Sequence, residues 1–138
     1  MIGVKHKKGK VMSEITDINW LATIVGFVLS FGLGMVWFSP KLFGKKWAEG
    51  VGLDPAGPSK PPMAAMTAQV IGTFLLAWTV GVTASNDALL TIILFTVTMV
   101  VLAGASGFFT GKSAYARHAE GGFMVAMVVI MIICQGVF

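Results

Sequence analysis

Charge is scarce in this chain. Only 12% of the residues are Asp, Glu, Lys or Arg, about half of the ~25% that a soluble domain carries. Cysteine is almost absent: Cys134 stands alone, so an intrachain disulfide is excluded. In its apolar surroundings the thiol reads as a small packing residue. The two histidines, His6 and His118, lie outside the apolar blocks. With no Cys/His/Asp grouping at ligand spacing, the reading is that the chain holds no metal and no cofactor. The acids are Glu14, Asp17, Glu49, Asp54, Asp87 and Glu120, all at or beyond the ends of apolar blocks. No nucleophile, base and acid can be assembled from them, and no glycine-rich phosphate loop follows a strand. The expectation is therefore a protein that is not an enzyme. Carriers coupled to protons or cations keep an ionisable group inside the membrane, and none is present there.

What the chain has is apolar length. Of 138 residues, 56% are hydrophobic. They fall into four blocks of roughly 18 to 22 residues without an ionised side chain, matching a ~30 Å hydrocarbon core at ~1.5 Å per helical residue. Backbone groups in lipid must be satisfied within the segment, so each block is a helix. The predicted fold is an all-α membrane protein: four transmembrane helices in a compact bundle, at about 18–39, 61–84, 88–110 and 122–138. A short interfacial amphipathic helix at about 41–51 joins the first two. Residues 1–17 form a basic N-terminal tail and 18–138 the transmembrane domain. Met1–Val11, with Lys5, Lys7, Lys8 and Lys10, reads as a flexible tail on an anionic surface. Met12 is an alternative start that would remove it.

Small residues recur every four positions. Gly26, Ser30 and Gly34 share one face of the first helix, and Ala64, Ala68 and Gly72 one face of the second. The third carries Gly104 and Gly107, with Gly111 beyond its end. Such faces let backbones approach closely, and the glycine-rich end of the third helix is expected to pack tightly against protein. Trp20 and Trp37 sit at opposite ends of the first helix, where aromatic belts lie. After Pro40, the residues Leu42, Phe43, Trp47 and Val51 form an apolar face, and Lys41, Lys45 and Lys46 can reach phosphates. Trp20, Trp37, Lys41, Phe43, Lys45, Lys46 and Trp47 are thus the expected interfacial anchors. Ser59 is the expected cap of the second helix, and the link Ser85-Asn86-Asp87 forces an antiparallel hairpin. Gln69 and Thr73 are the candidate polar path. Their bland reading is interhelical hydrogen bonding, worth about 0.6 kcal/mol each.

Lys and Arg decide sidedness. The first and third links together hold Lys41, Lys45, Lys46, Lys60, Lys112 and Arg117, against four lysines in the tail and none in the second link. This favours those two links in the cytoplasm and both termini outside. The net charge of +4 then reports headgroup contact and topology, not nucleic acid.

Ile18-Asn19-Trp20-Leu21-Ala22, followed by Trp37-Phe38-Ser39-Pro40-Lys41-Leu42-Phe43-Gly44-Lys45-Lys46-Trp47, resembles the bacterial small membrane proteins grouped as domain-of-unknown-function family 1761. Those read I/V-N-W-L-A and then W-Y-S-P-x-L-F-G-K-x-W. The resemblance runs from about residue 15 and includes the four-helix spacing. The chain departs from it at Phe108-Phe109-Thr110, where the family often has an Asn-rich helix end, and at Gly121-Gly122-Phe123, where it has a Gly-Tyr-His-like stretch. The family implies a fold and a membrane location, and no established activity.

Three functions follow as expectations. The first is a non-enzymatic accessory or scaffolding subunit of the bacterial inner membrane. It packs through its small-residue faces into a larger complex or a homo-oligomer, so its partners are the lipid bilayer and other membrane subunits or itself. The second is a small homodimeric transporter or channel, with a wet cavity lined by Ser30, Gln69 and Thr73. The third, an enzyme acting on lipid or quinone, has no positioned acid, base or metal to support it.

Overall fold

The computed structural model describes residues 12–53 and 63–138. The basic stretch 1–11, the linker 54–62, the cap Ser59 and the expected helix start at Pro61 lie outside the described residues. Within them the chain forms six helices and no strand. A short helix, α1, covers 12–16. Four long helices follow: α2 (Trp20–Trp37), α4 (Met63–Ser85), α5 (Leu89–Phe109) and α6 (Ala114–Val137), with the seven-residue α3 (Gly44–Gly50) between the first two. All four long helices have the length and composition to cross a membrane. Their outward faces are strongly apolar: Leu90 is 81% exposed, Leu94 68% and Phe109 92%. An aqueous fold rarely leaves so much apolar surface bare, whereas lipid covers it without cost.

The ends of the helices follow local chemistry. Asn19 caps α2, its side chain accepting the Ala22 amide at 3.1 Å. At the far end, α6 begins eight residues before the expected Gly122, because Ser113 caps it by accepting the Ala116 amide at 3.1 Å. Residues 114–120 look like a polar link in sequence. They are the first two turns of the last helix. The α4–α5 turn uses Asp87 in a left-handed conformation, φ 52°, which Asp tolerates better than most residues.

The bundle is organised around α6, which touches α2, α3, α4 and α5. Its closest partner is α2, antiparallel and in a register set by the small stripe. A Cβ on Gly26 would sit 3.4 Å from the Met131 Cα, and one on Gly34 would sit 2.9 Å from the Phe123 ring. Ala22, Thr23, Gly26 and Ser30 are buried along the same face. The core is completed by Leu76, Ala77 and Val80 of α4, Ile92 of α5, and Phe123, Met127, Val128 and Met131 of α6. One polar tie crosses it: Gln135 Nε2 donates to Thr23 Oγ1 at 3.1 Å. Gly81 makes room, since a Cβ there would fall 2.6 Å from that hydroxyl.

The other small stripes behave differently. Ala64, Ala68 and Gly72 all lie on the exposed side of α4, and nothing stands within 4 Å of a Cβ placed on Gly72. The close packing expected at the end of α5 is confined to Gly107, which is buried, and where a Cβ would fall 2.8 Å from the aliphatic part of Arg117. Gly104 has open space beside it. Gly111 is a turn residue, φ 75°, where a side chain would be strained.

These contrasts predict two classes of glycine. Gly26→Leu and Gly34→Leu should each cost about 1–3 kcal/mol through overpacking against α6. Gly72→Leu and Gly104→Leu should leave stability unchanged or slightly raised, since glycine is a weak helix former. Reversible unfolding in mixed detergent–SDS micelles measures all four, and an equal cost across the set would contradict the α2–α6 register.

Candidate functional site

Polar and aromatic chemistry concentrates at one corner, where the end of α2, the following turn and α3 meet the start of α6. The turn is wound tightly. Phe43 N–H donates to the Trp37 carbonyl at 3.1 Å, and Leu42 and Gly44 N–H donate to the Ser39 carbonyl at 3.0 and 2.9 Å. The Ser39 hydroxyl donates to the Val36 carbonyl at 2.7 Å. Gly44 is obligatory here, because a Cβ would overlap the Phe38 carbonyl. Pro40 sits in the turn and cannot extend the helix.

The amphipathic segment does not lie loose on the membrane. It is docked. Ser113 N–H donates to the Gly50 carbonyl at 2.9 Å, and a Cβ on Gly50 would overlap Ser113 and press on Ala116 at 2.8 Å. Gly44 and Gly50, poor residues for an isolated helix, are what allow this one to seat. Phe43 and Trp47 turn inward. Trp37 and Phe43 rings stand 4.8 Å apart, Phe38 and Trp47 5.1 Å, and Phe38 and Phe123 5.2 Å. Such tilted and edge-on pairs add about 0.5–1.5 kcal/mol each beyond their burial.

Both indole N–H groups find acceptors on α6. Trp37 Nε1 donates to the Ala119 carbonyl at 3.0 Å, and Gly122 leaves the space in which its ring lies. Trp47 Nε1 donates to Glu120 Oε2 at 2.9 Å. The same carboxylate accepts Lys112 Nζ at 3.0 and 3.1 Å. Glu120 therefore ties α3 and the α5–α6 turn to α6. Arg117 completes the corner, donating to the Lys112 carbonyl at 2.7 Å with its guanidinium 3.7 Å from the Phe108 ring centre. Lys41 and Lys45 are exposed. Lys46 holds its ammonium 5.4 Å from the centre of the Tyr115 ring.

The remaining expected residues are dispersed. Trp20 lies at the opposite end, its N–H donating to the Thr16 carbonyl at 3.0 Å and its ring 5.5 Å from Trp78. Trp78 in turn donates to the Ile15 carbonyl at 2.7 Å, which holds α1 over the end of α4. The candidate polar path is split. Thr73 is buried at 2% exposure, Gln69 lies on the outer face of α4, and Gln69 Nε2 donates to Thr73 Oγ1 at 3.1 Å. Ser30 is fully buried in α2 and its hydroxyl has no partner. None of the three lines either principal cleft. One, of about 340 Å³, is bounded by Ile15, Leu75, Trp78, Thr79 and Val82. The other, of about 290 Å³, is bounded by Lys46, Glu49, Gly50, Ser113 and Tyr115.

Sequence reasoning placed Lys112, Tyr115, Arg117 and Glu120 in a link and gave none of them a place in the corner. The signal that finds them is Ser113, a helix cap four residues before Arg117. Gln135 was missed as well, a lone carboxamide in the apolar stretch of α6 after Gly122.

These features define a small multi-pass membrane protein with four spanning helices and one tightly docked connection. The chain belongs to DUF1761, a protein family of unknown function, whose model matches residues 21–136. No curated protein and no solved structure matches it.

Two substitutions probe the corner. Gly50→Val should release α3 and raise tryptic cleavage after Lys45 and Lys46 about tenfold, equivalent to ~1.4 kcal/mol of opening. Trp47→Phe and Glu120→Ala should raise it less, and the double variant should fall short of the sum, since each removes the same hydrogen bond. Unchanged cleavage in Gly50→Val would show that α3 is not held by this contact. Elsewhere, Ser30→Ala should be neutral or stabilising in the SDS assay, because it removes an unsatisfied buried hydroxyl. A marked loss of stability would reveal a partner for that oxygen.

Proposed function

We propose that the protein is a non-enzymatic accessory or scaffolding subunit of the bacterial cytoplasmic membrane, packing into a larger complex or a homo-oligomer through α4. The reading rests on the unequal use of its small-residue stripes. The α2 stripe is consumed within the bundle, where it meets α6. Among the described residues, the α4 stripe of Ala64, Ala68 and Gly72 is exposed, and a Cβ on Gly72 would meet nothing within 4 Å. Next to it stands Gln69, whose side-chain hydrogen bond runs to Thr73 on the same helix. The rest of its carboxamide faces outward at a depth where lipid offers no partner. A neighbouring helix would satisfy that group and fill the groove beside the small residues.

Charge supports the orientation. Among the described residues, Lys41, Lys45, Lys46, Lys112 and Arg117 gather at the α3 end, while Glu14, Asp17 and Asp87 lie at the other end with no Lys or Arg. This favours the α3 end as the cytoplasmic one, with the four tail lysines, Lys5, Lys7, Lys8 and Lys10, counting on the other side.

A homodimeric transporter or channel is the second reading. What supports it is Gln69, which lies on the outer face of α4 and would face an intersubunit path. Solute flux in proteoliposomes, abolished by Gln69→Leu, would favour it.

The first reading is tested by oxidative cross-linking in native membranes at native expression. Cysteine in place of Ala64 or Ala68 should give a discrete dimer or heteromeric adduct, while cysteine in place of Leu94 on α5 should not. Gly72→Leu should weaken the adduct. Equal, low cross-linking at all three positions would overturn the assignment of α4 as the contact face.

A further inference from the structure

The corner built by the Trp-Phe-Ser-Pro signature leaves one cleft open to the headgroup layer. Its walls are Lys46 and Glu49 of α3, the backbone of Gly50, and Ser113 and Tyr115 at the start of α6. At about 290 Å³ it is a shallow, open depression, smaller than the ~300–1,000 Å³ of enclosed small-molecule sites. That size suits a headgroup better than a larger ligand.

The two charges in the cleft are opposite and unused. Lys46 and Glu49 are three residues apart on α3, close enough to pair along a helix. Yet among the described residues neither enters an ion pair. Lys46 instead leans over the Tyr115 ring. The nearby acid, Glu120, is already occupied by Lys112 and Trp47. The cleft therefore offers, among the described residues, a cation and a carboxylate that no counter-ion occupies. Ser113 adds a hydroxyl that accepts from the Ala116 amide, which leaves its own proton free to donate. The first-turn amides of α6 lie beside it and favour negative charge.

We propose that this cleft binds the zwitterionic headgroup of an aminophospholipid, a phosphodiester carrying a primary ammonium. The phosphate is held by Lys46 and the Ser113 hydroxyl. The ammonium is held by Glu49. The glycerol and acyl chains run down toward the bilayer along the outer side of the α3–α6 contact. An anionic phospholipid would satisfy Lys46 and leave Glu49 facing a negative ligand. A choline headgroup would carry the right charge but offers no N–H to donate to Glu49. The site stands apart from the exposed face of α4, so its occupancy is separable from oligomeric state.

Native mass spectrometry of the whole protein, released from micelles doped with equal amounts of phosphatidylethanolamine, phosphatidylglycerol and phosphatidylcholine, reads the preference directly. Phosphatidylethanolamine adducts should exceed each of the others by about threefold, the scale of one exposed ion pair. Glu49→Gln should erase the advantage over phosphatidylglycerol, and Lys46→Met should lower both. Both side chains are exposed, so the variants should retain wild-type stability in the SDS assay. Soluble glycerophosphoethanolamine at millimolar concentration should fail to displace the adduct. Displacement would make a free zwitterion the ligand and overturn the lipid assignment. Equal adducts, a preference for phosphatidylglycerol, or a preference untouched by Glu49→Gln would overturn the site.

Discussion

The approach of α2 to α6 sets the position of everything else. Gly26, Ser30 and Gly34 present almost no side-chain bulk, so Met131 and Phe123 of α6 lie directly on the α2 backbone. With α6 seated there, Trp37 reaches the Ala119 carbonyl, Thr23 reaches Gln135, and Glu120 is brought under Trp47. In a bilayer there is no water to drive helices together, so shape and a few hydrogen bonds carry the association. A stripe of small residues is the cheapest way to supply shape.

The signature after α2 is then understood as an anchor for α3. Two indoles with polar tips, a proline that stops the helix and two glycines that permit close seating form one mechanical unit with the start of α6. Each polar tip has an acceptor, and each aromatic ring has a ring beside it. The lysines between them face outward, toward the headgroups. A motif of this kind fixes a short segment at the membrane surface without ordering it through lipid alone.

Much of the architecture is legible in the chain. Four ionisation-free stretches of bilayer length leave no alternative to four spanning helices, because an unpaired amide in hydrocarbon costs several kcal/mol. The signature from Trp37 to Trp47 marks both the family and the corner. The reach of α6 back to Ala114 was obscured by polarity: Lys112, Arg117, His118 and Glu120 look like a link, although a helix crossing the headgroup layer is polar at that depth too.

Which faces meet is the part that only the tertiary structure decided. In water, an apolar stripe announces the core, because the opposite side must be polar. In lipid both sides are apolar, so Gly26/Ser30/Gly34 and Ala64/Ala68/Gly72 look alike as sequence. One stripe is buried against α6 and the other is bare. The chain by itself determined that it crosses the membrane four times, because hydrogen-bond satisfaction in hydrocarbon depends on composition and length alone. It did not determine which small-residue face the bundle consumes, because that choice turns on the fit of particular side chains such as Met131 and Phe123 against a particular backbone.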